Sequence, residues 1–267
     1  MDSSDSRSPI ARARALWRVR RVFWLLVRRD LKVRYATSTL GYLWTVLDPL
    51  LMSLVYWLLF TQIIRRDAGL DPYLVFLLAG MLPWNWFNGA VSEGSKALRA
   101  SAKLLRSTDL PREIWVLRVV VSRGVEYVLS LPVLFVFLVV YQKSVNPMLL
   151  TIPIGMVVQT ILLTGITLAL APLVVLVRDL ERVIKIVLRL AFYSSPVLYS
   201  TTRLPETWQW VYVANPLSPL LSFYRTGIFP ELLNWLHLGI SAAMAVVLFW
   251  VGWFIFMRLE RTVLKEI

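Results

Sequence analysis

Residues 43–64 read LWTVLDPLLMSLVYWLLFTQII, an apolar run broken by a single charged side chain, Asp48. At about 1.5 Å per helical residue, such a run reaches roughly 30 Å, the thickness of a bilayer's hydrocarbon core. Backbone groups inside lipid must be satisfied within the segment, and the run lacks the strict alternation of a barrel strand, so it reads as a transmembrane helix. The composition extends that reading to the whole chain: 58% apolar residues, 13% aromatics and a mean hydropathy of +0.64 in 267 residues exceed the usual content of a soluble domain. The expected fold class is an all-α integral membrane protein. The absence of cysteine removes disulfides and thiolate chemistry. The Arg-rich first forty residues and the lack of a small-residue cleavage pattern argue against a secretory signal.

Outward from that run, six spans are expected, at 43–64, 73–91, 114–141, 147–177, 183–200 and 236–257, in a single transmembrane domain over 1–267 with a tail at 258–267. Residues 204–229 contain apolar stretches too short to cross, cut by Pro205, Pro216 and Pro219 with Pro230 just beyond, so they are expected to form re-entrant or interfacial helices. If both termini and the 2/3 and 4/5 connections share one side, that side carries 24 of the 29 Lys and Arg. The positive-inside rule makes it the cytoplasm and requires an even number of crossings.

Residues 11–40 hold neither Pro nor Gly and are predicted to form one helix on the cytoplasmic surface. Arg14, Arg18, Arg21, Arg28, Arg29 and Lys32 share one arc, and Leu16, Val19, Phe23, Leu26 and Val27 point the other way. The apolar face is expected against the acyl boundary, with the cations toward anionic headgroups or a partner. A topology signal without further duty is the plain alternative. Nucleic acid is a poor reading of the net charge of +13, because the cations gather on one side of a membrane protein.

Within the third span, Arg118, Arg123 and Glu126 would be costly at the bilayer centre, but its length lets the first turns protrude. Arg123 and Glu126 are then expected to pair at i,i+3, a structural pair in preference to a proton relay, with Asp48 near enough to meet these arginines. Asn85 and Asn88 lie about midway through the second span among Trp84, Trp86 and Phe87. Two amides and three rings could line a passage for sugars; amides are equally common as interhelical glue. Thr160, Thr164 and Thr167 with Gly165 read as a close-packing stripe, and the lone His237 as interfacial.

Two connections on the basic side suit docking onto a soluble partner, although a solvated charged loop is the default reading. In one, Lys96, Arg99, Lys103 and Arg106 recur at helical spacing opposite Leu98, Ala102 and Leu105. The other, VRDLERV at 177–183, carries Arg178, Asp179, Glu181 and Arg182. No glycine immediately precedes a lysine, so the sequence contains no phosphate-cradling P-loop and no cofactor is expected in this chain. Active transport would draw on another chain or an ion gradient, and the buried acids and histidines that proton coupling needs are scarce.

Several stretches together resemble a known family: DLKVRYATSTLGYLWTVLDPL (30–50), AGMLPWNWF (79–87), LPREIWVLR (110–118), VRDLERV (177–183) with SSPVLY (194–199), and NPLSPLLSFYR (215–225). Their order and spread are similar to the membrane permeases of ABC exporters for polysaccharides, the type that moves O-antigen, capsule, teichoic acid and cell-wall galactan. The resemblance implies a homodimer of six-helix subunits in the bacterial inner membrane, joined to two copies of a cytoplasmic ATPase that binds ATP and Mg, with membrane lipids around it. It implies a channel at the subunit interface and a polyprenyl-diphosphate-linked polysaccharide as cargo. Carried over by motif, Lys96, Arg99, Lys103, Arg106, Arg178, Asp179, Glu181 and Arg182 belong to the ATPase-coupling elements. Arg28, Arg29, Lys32, Arg34 and Tyr35 fall at the entrance for the lipid diphosphate, and Trp84, Asn85, Trp86, Phe87 and Asn88 along the channel. Trp208, Trp210, Tyr212, Asn215, Pro216, Phe223, Tyr224 and Arg225 fall in the outer gate. The Val- and Arg-rich composition leans toward the galactan branch. Two other classes stay open: a membrane-embedded glycosyltransferase-type enzyme, which should carry an Asp-rich or paired-carboxylate loop, and an ABC exporter of drugs or lipids with the same fold.

Overall fold

The structure is a computed structural model that describes residues 9–36, 38–64, 70–201, 207 and 209–266; among these, the regular elements are all helical. The basic N-terminal stretch forms α1 (Pro9–Arg18) and α2 (Arg20–Tyr35). The joint at Val19 is slight, since Val19 N–H donates to Ala15 O and Phe23 N–H to Val19 O across it. The single helix expected over 11–40 is therefore jointed and stops at Tyr35. Its apolar face is also used differently from expectation. Leu16, Val19, Phe23 and Leu26 pack on a cluster that includes Leu98, Trp115, Val119, Phe256 and Val263, so protein covers the face expected against acyl chains. Trp17, Trp24 and Leu25 remain exposed on the other side, among the arginines.

A 3-10 turn, Gly41–Leu43, leads into α3 (Trp44–Trp57), which runs on through a π-helical stretch, Leu58–Ile63. Gly41 takes a positive φ of 50°, which a residue without Cβ adopts at little cost, and this turns the chain from α2 into α3. α4 (Tyr73–Gly94) follows, then two short helices, α5 (Ala97–Ala100) and α6 (Ala102–Ser107), which break at Ser101 the helical spacing read from Lys96 to Arg106. α7 (Glu113–Val140) and α8 (Ile152–Leu176) are long, and α9 (Leu180–Ser194) is short. Next come α10 (Gln209–Ala214) and α11 (Leu217–Arg225), and α12 (Trp235–Glu266) continues helical through most of the expected tail.

Among the described residues, five helices are long and apolar enough to cross a membrane: Gly41–Ile63, Tyr73–Gly94, Glu113–Val140, Pro147–Leu176 and Trp235–Glu266. The chain is a multi-pass membrane protein. The expected fifth span at 183–200 differs: its helix ends at Ser194, spanning about 22 Å at 1.5 Å per residue, and continues as turns.

α4 is the core helix, buried along nearly its whole length against α3, α7, α8 and α11, whereas α3 buries only Pro49 and Ser53 within the chain. Pro83 sits inside α4, and the carbonyl of this proline accepts from the Gln159 amide of α8 at 2.9 Å. α8 and α12 pack along their length, which is possible because two glycines face each other. A Cβ on Gly252 would overlap the Gly165 carbonyl, and one on Gly165 would lie 2.5 Å from the Phe249 nitrogen. Apolar lipid gives helices no hydrophobic reason to associate, so close backbone approach through small residues supplies the contact.

Gly252→Leu should therefore lower the melting temperature of the detergent-solubilised protein, overpacking costing about 1–3 kcal/mol. Gly239→Ala, with no atom within 4 Å of the new Cβ, should leave it unchanged. Thermal unfolding followed by size exclusion reads both.

Candidate functional site

One end of the bundle is organised by ion pairs. Arg12 of α1 pairs with Glu113 at the start of α7 and, at 2.8 Å, with Glu260 near the end of α12. α1 and the last turns of α12 thus meet at this basic end. Burial works against the Arg12 charge, but the two carboxylates outweigh it and hold the guanidinium pKa above its ordinary value. Next to it, Asp30 of α2 pairs with Arg118 of α7, which also donates to Ser101 Oγ at 2.9 Å, fixing the break between α5 and α6. Burial pushes the Asp30 carboxyl upward, against the pull of Arg118 and Arg34.

Deeper in, Arg34 and Tyr35 at the end of α2 meet Glu93 of α4 and Arg123 and Glu126 of α7. Arg34 bonds Glu93 at 2.7 Å and also Glu126; Arg123 bonds Glu126 at 2.8 Å and also Glu93; and the Tyr35 hydroxyl donates to Glu126 Oε1 at 3.0 Å. Each carboxylate bridges both guanidiniums, so the expected Arg123–Glu126 pair is half of a four-membered cluster. Burial, then the Glu126 charge, raises the Tyr35 hydroxyl and keeps it a donor. The cluster walls a cavity of about 410 Å³ that also includes Asp48, Asn85, Asn88 and Tyr127. Asp48 faces this space without pairing to either arginine among the described residues. Glu93 went unnoticed in the sequence; its only signal was being the lone acid where an apolar span turns basic.

The two basic connections touch. Arg99 NH1 donates to Glu181 Oε1 at 2.9 Å and Lys96 Nζ lies 3.7 Å from Glu181, so α5 and the start of α9 are joined through one carboxylate. Lys103 and Arg106 are exposed on α6, as are Arg178, Asp179 and Arg182 beside α9. Of the α2 residues, Arg28, Arg29 and Lys32 are exposed, and Arg34 and Tyr35 are drawn into the cluster.

The residues of the AGMLPWNWF stretch divide. Trp84 packs on Phe87 and Phe192 at centroid distances of 5.6 and 5.3 Å, while Trp86 stacks on Tyr127 and donates to Val120 O at 3.1 Å. Asn85 and Asn88 are half-buried, make no side-chain hydrogen bond among the described residues, and border a second cavity of about 440 Å³ between α3, α4 and α9.

At the opposite end, Arg225 is fully buried and pairs with no carboxylate among the described residues. Its Nε donates to Phe76 O at 3.0 Å, NH1 to Pro196 O at 2.5 Å and NH2 to Val197 O at 2.7 Å, and the guanidinium lies over the Phe76 ring at 3.6 Å. Gly80 is open beneath it, and a Cβ there would overlap the guanidinium. Three of the sequence stretches singled out above, AGMLPWNWF, SSPVLY and NPLSPLLSFYR, therefore converge on one side chain. Around it Asn215 donates to Ser195 Oγ at 2.8 Å, Tyr212 bonds Ser222 at 3.2 Å, and Tyr224 meets Tyr127 edge-on at 5.6 Å. Phe223 is buried, Pro216 half-buried and Trp210 exposed; Trp208 lies outside the described residues.

A bundle of apolar helices with a polar cavity and a basic end carrying amphipathic connections defines a membrane transport subunit. Residues 21–229 match the ABC-2 type transporter family, and the chain belongs to it. It is 33% identical over 237 residues to an O-antigen export system permease protein RfbA of Klebsiella pneumoniae, covering 88% of this chain and 91% of that protein. The O-antigen export system permease protein RfbA of Myxococcus xanthus is 34% identical over 246 residues, 91% and 94% of the two chains. The polysialic acid transport protein KpsM of Escherichia coli is 23% identical over 245 residues, 89% and 91%.

Arg225→Gln should lower thermal stability sharply, since it takes donors from three buried carbonyls at about 1–3 kcal/mol for each left unsatisfied. Gly80→Ala should also destabilise, by displacing the same guanidinium, and the two changes together should cost less than their sum because they remove one interaction. Unfolding midpoints of the four proteins measure this.

Proposed function

We propose that the chain is the channel-forming permease subunit of an ATP-driven polysaccharide exporter, with a polyprenyl-diphosphate-linked glycan such as O-antigen or galactan as cargo. The observation that carries the reading is the similarity to O-antigen export permeases over about nine tenths of both chains. In this reading the basic end is cytoplasmic, the membrane is the bacterial inner membrane, and the subunit works as a homodimer with two copies of a separate ATPase.

Six crossings fit the contacts better than five. Glu181, at the start of α9, meets Lys96 and Arg99 just past the basic end of α4, while Leu198 O accepts from the Tyr73 hydroxyl at that helix's other end, at 2.7 Å. Residues 180–198 therefore run the depth of α4, and α9 with the turns after it forms the fifth crossing. α10 and α11, short, with α11 wholly buried, then form the re-entrant outer gate. α3 and α9 expose apolar side chains such as Leu51, Val55, Ile186 and Leu190, a wall suited to the second subunit and the channel. α5, α6 and the 177–183 loop receive the ATPase stroke, with Glu181 passing it from one to the other.

Depleting the protein should trap lipid-linked glycan on the cytoplasmic side; unchanged export sinks the proposal. Glu181→Arg should uncouple ATP hydrolysis from export while leaving membrane insertion intact, and adding Arg99→Glu should restore part of it. Export and ATPase rates of the reconstituted complex test that pair.

A further inference from the structure

Among the described residues, most buried or half-buried cations have a carboxylate: Arg12 has Glu113 and Glu260, Arg34 and Arg123 share Glu93 and Glu126, Arg118 has Asp30, and Lys96 shares Glu181 with the exposed Arg99. Arg225 has carbonyls instead. Lys185 and Arg189 are exposed cations set apart by where they stand. Both border the cavity of about 440 Å³ between α3, α4 and α9, no Asp or Glu lines that cavity, and neither forms an ion pair among the described residues.

Both are exposed to that cavity, and their depth along α9 separates them from the exposed cations at the basic end. Glu181 marks the basic end, so Lys185 and Arg189 lie one and two turns further in, roughly 6 and 12 Å along α9. The neighbouring face of the helix is apolar and exposed at Ile186, Val187 and Leu190. Unpaired cations at such depth are rare and belong to substrate or ion pathways. The two are spaced i,i+4, one above the other at about 6 Å, and the same face continues outward to Arg182 and Arg178 at 3- and 4-residue steps. Further in, the cavity wall turns aromatic at Trp84, Phe192 and Tyr193, and the lining also holds Asn85 and Asn88, whose amides make no hydrogen bond among the described residues.

We propose that this face of α9 recognises a diphosphate-bearing head group, Lys185 and Arg189 binding the phosphates and Asn85, Asn88 and Trp84 the attached sugar. Two stacked cations without an internal acid match two adjoining phosphates, and ring faces with free amides match a sugar's C–H face and hydroxyls. The inference rests on the exporter reading for its sugar-bearing ligand, and it is separate from the coupling role given to Glu181. The same head group occurs on a membrane lipid and on a soluble sugar nucleotide.

The test is titration of the full-length protein in nanodiscs with farnesyl diphosphate. Lys185→Gln with Arg189→Gln should weaken binding at least tenfold and leave farnesol binding unchanged, while Lys185→Arg with Arg189→Lys should stay within about threefold. Asn85→Asp with Asn88→Asp, which removes no cation but adds the missing acids, should also weaken binding and serves if the Gln variant does not fold. Equal affinity for farnesyl diphosphate in the wild type and in whichever of these variants folds overturns the proposal. Weaker competition by UDP-glucose than by unlabelled farnesyl diphosphate assigns the site to the lipid-borne head group, and equal competition to the soluble one; both uphold diphosphate recognition. Unchanged affinity in the variants alongside trapped glycan on depletion would sink this inference alone, and weakened affinity alongside unchanged export on depletion would sink the exporter reading alone.

Discussion

The guanidinium of Arg225 is surrounded by three main-chain carbonyls and the face of one ring, and those carbonyls come from two different parts of the chain. An isolated charge in an apolar interior is stable only where dipoles replace the water it has lost. Arginine can meet that demand because its donors project in a rigid planar fork; a lysine is a point charge on a flexible stem. The arrangement makes α4, α11 and the turn after α9 mutually dependent. Displacing any one of them strands either the cation or the carbonyls. It also dictates sequence at a distance, since Gly80 leaves the space the guanidinium fills.

The other end of the bundle solves the same problem with carboxylates. α2 is bound to α4 and α7 through Glu93 and Glu126, each shared by two arginines, and α1 to α7 and α12 through Glu113 and Glu260. Shared bridges are harder to lose one at a time than isolated pairs, and leaving a buried partner uncompensated costs about 3–5 kcal/mol. The N-terminal helices are thereby an integral part of the bundle. Their apolar face is spent on protein contact, and the face left to a membrane surface or a ligand is the one bearing Trp17, Trp24 and the arginines.

Between these two fixed ends, burial is uneven in a way that suits transport. α4 is enclosed, and α8 and α12 are locked by glycine contacts, while α3 and α9 lie at the edge. Edge helices can carry polar or charged side chains toward a cavity without disturbing the core, and α9 does so at Lys185 and Arg189. Rigid scaffold and working surface are thus assigned to different helices.

The amino-acid sequence by itself determined the solvent, the helical class, the position of the long spans and the clustering of cations, because these follow from hydrophobic run length and charge count, which are local quantities. It also exposed the stretches around Trp84, Arg178 and Arg225 as special, since Pro, Trp and charge stand out against an apolar background. Partnership was beyond it. That Arg225 reaches Phe76, that Glu93 joins Arg34 to Arg123, and that Glu181 links two connections depends on which helix lies beside which. Helical periodicity cannot supply this for α4, which is apolar all round and has no preferred face to read. The joint at Val19 and the break at Ser101 were likewise hidden, because neither proline nor glycine marks them, whereas the early end of α9 follows from Pro196, which holds Ser195 extended. Only the tertiary structure decided which charges are neutralised within the chain and which stay exposed, because neutralisation depends on distance in space.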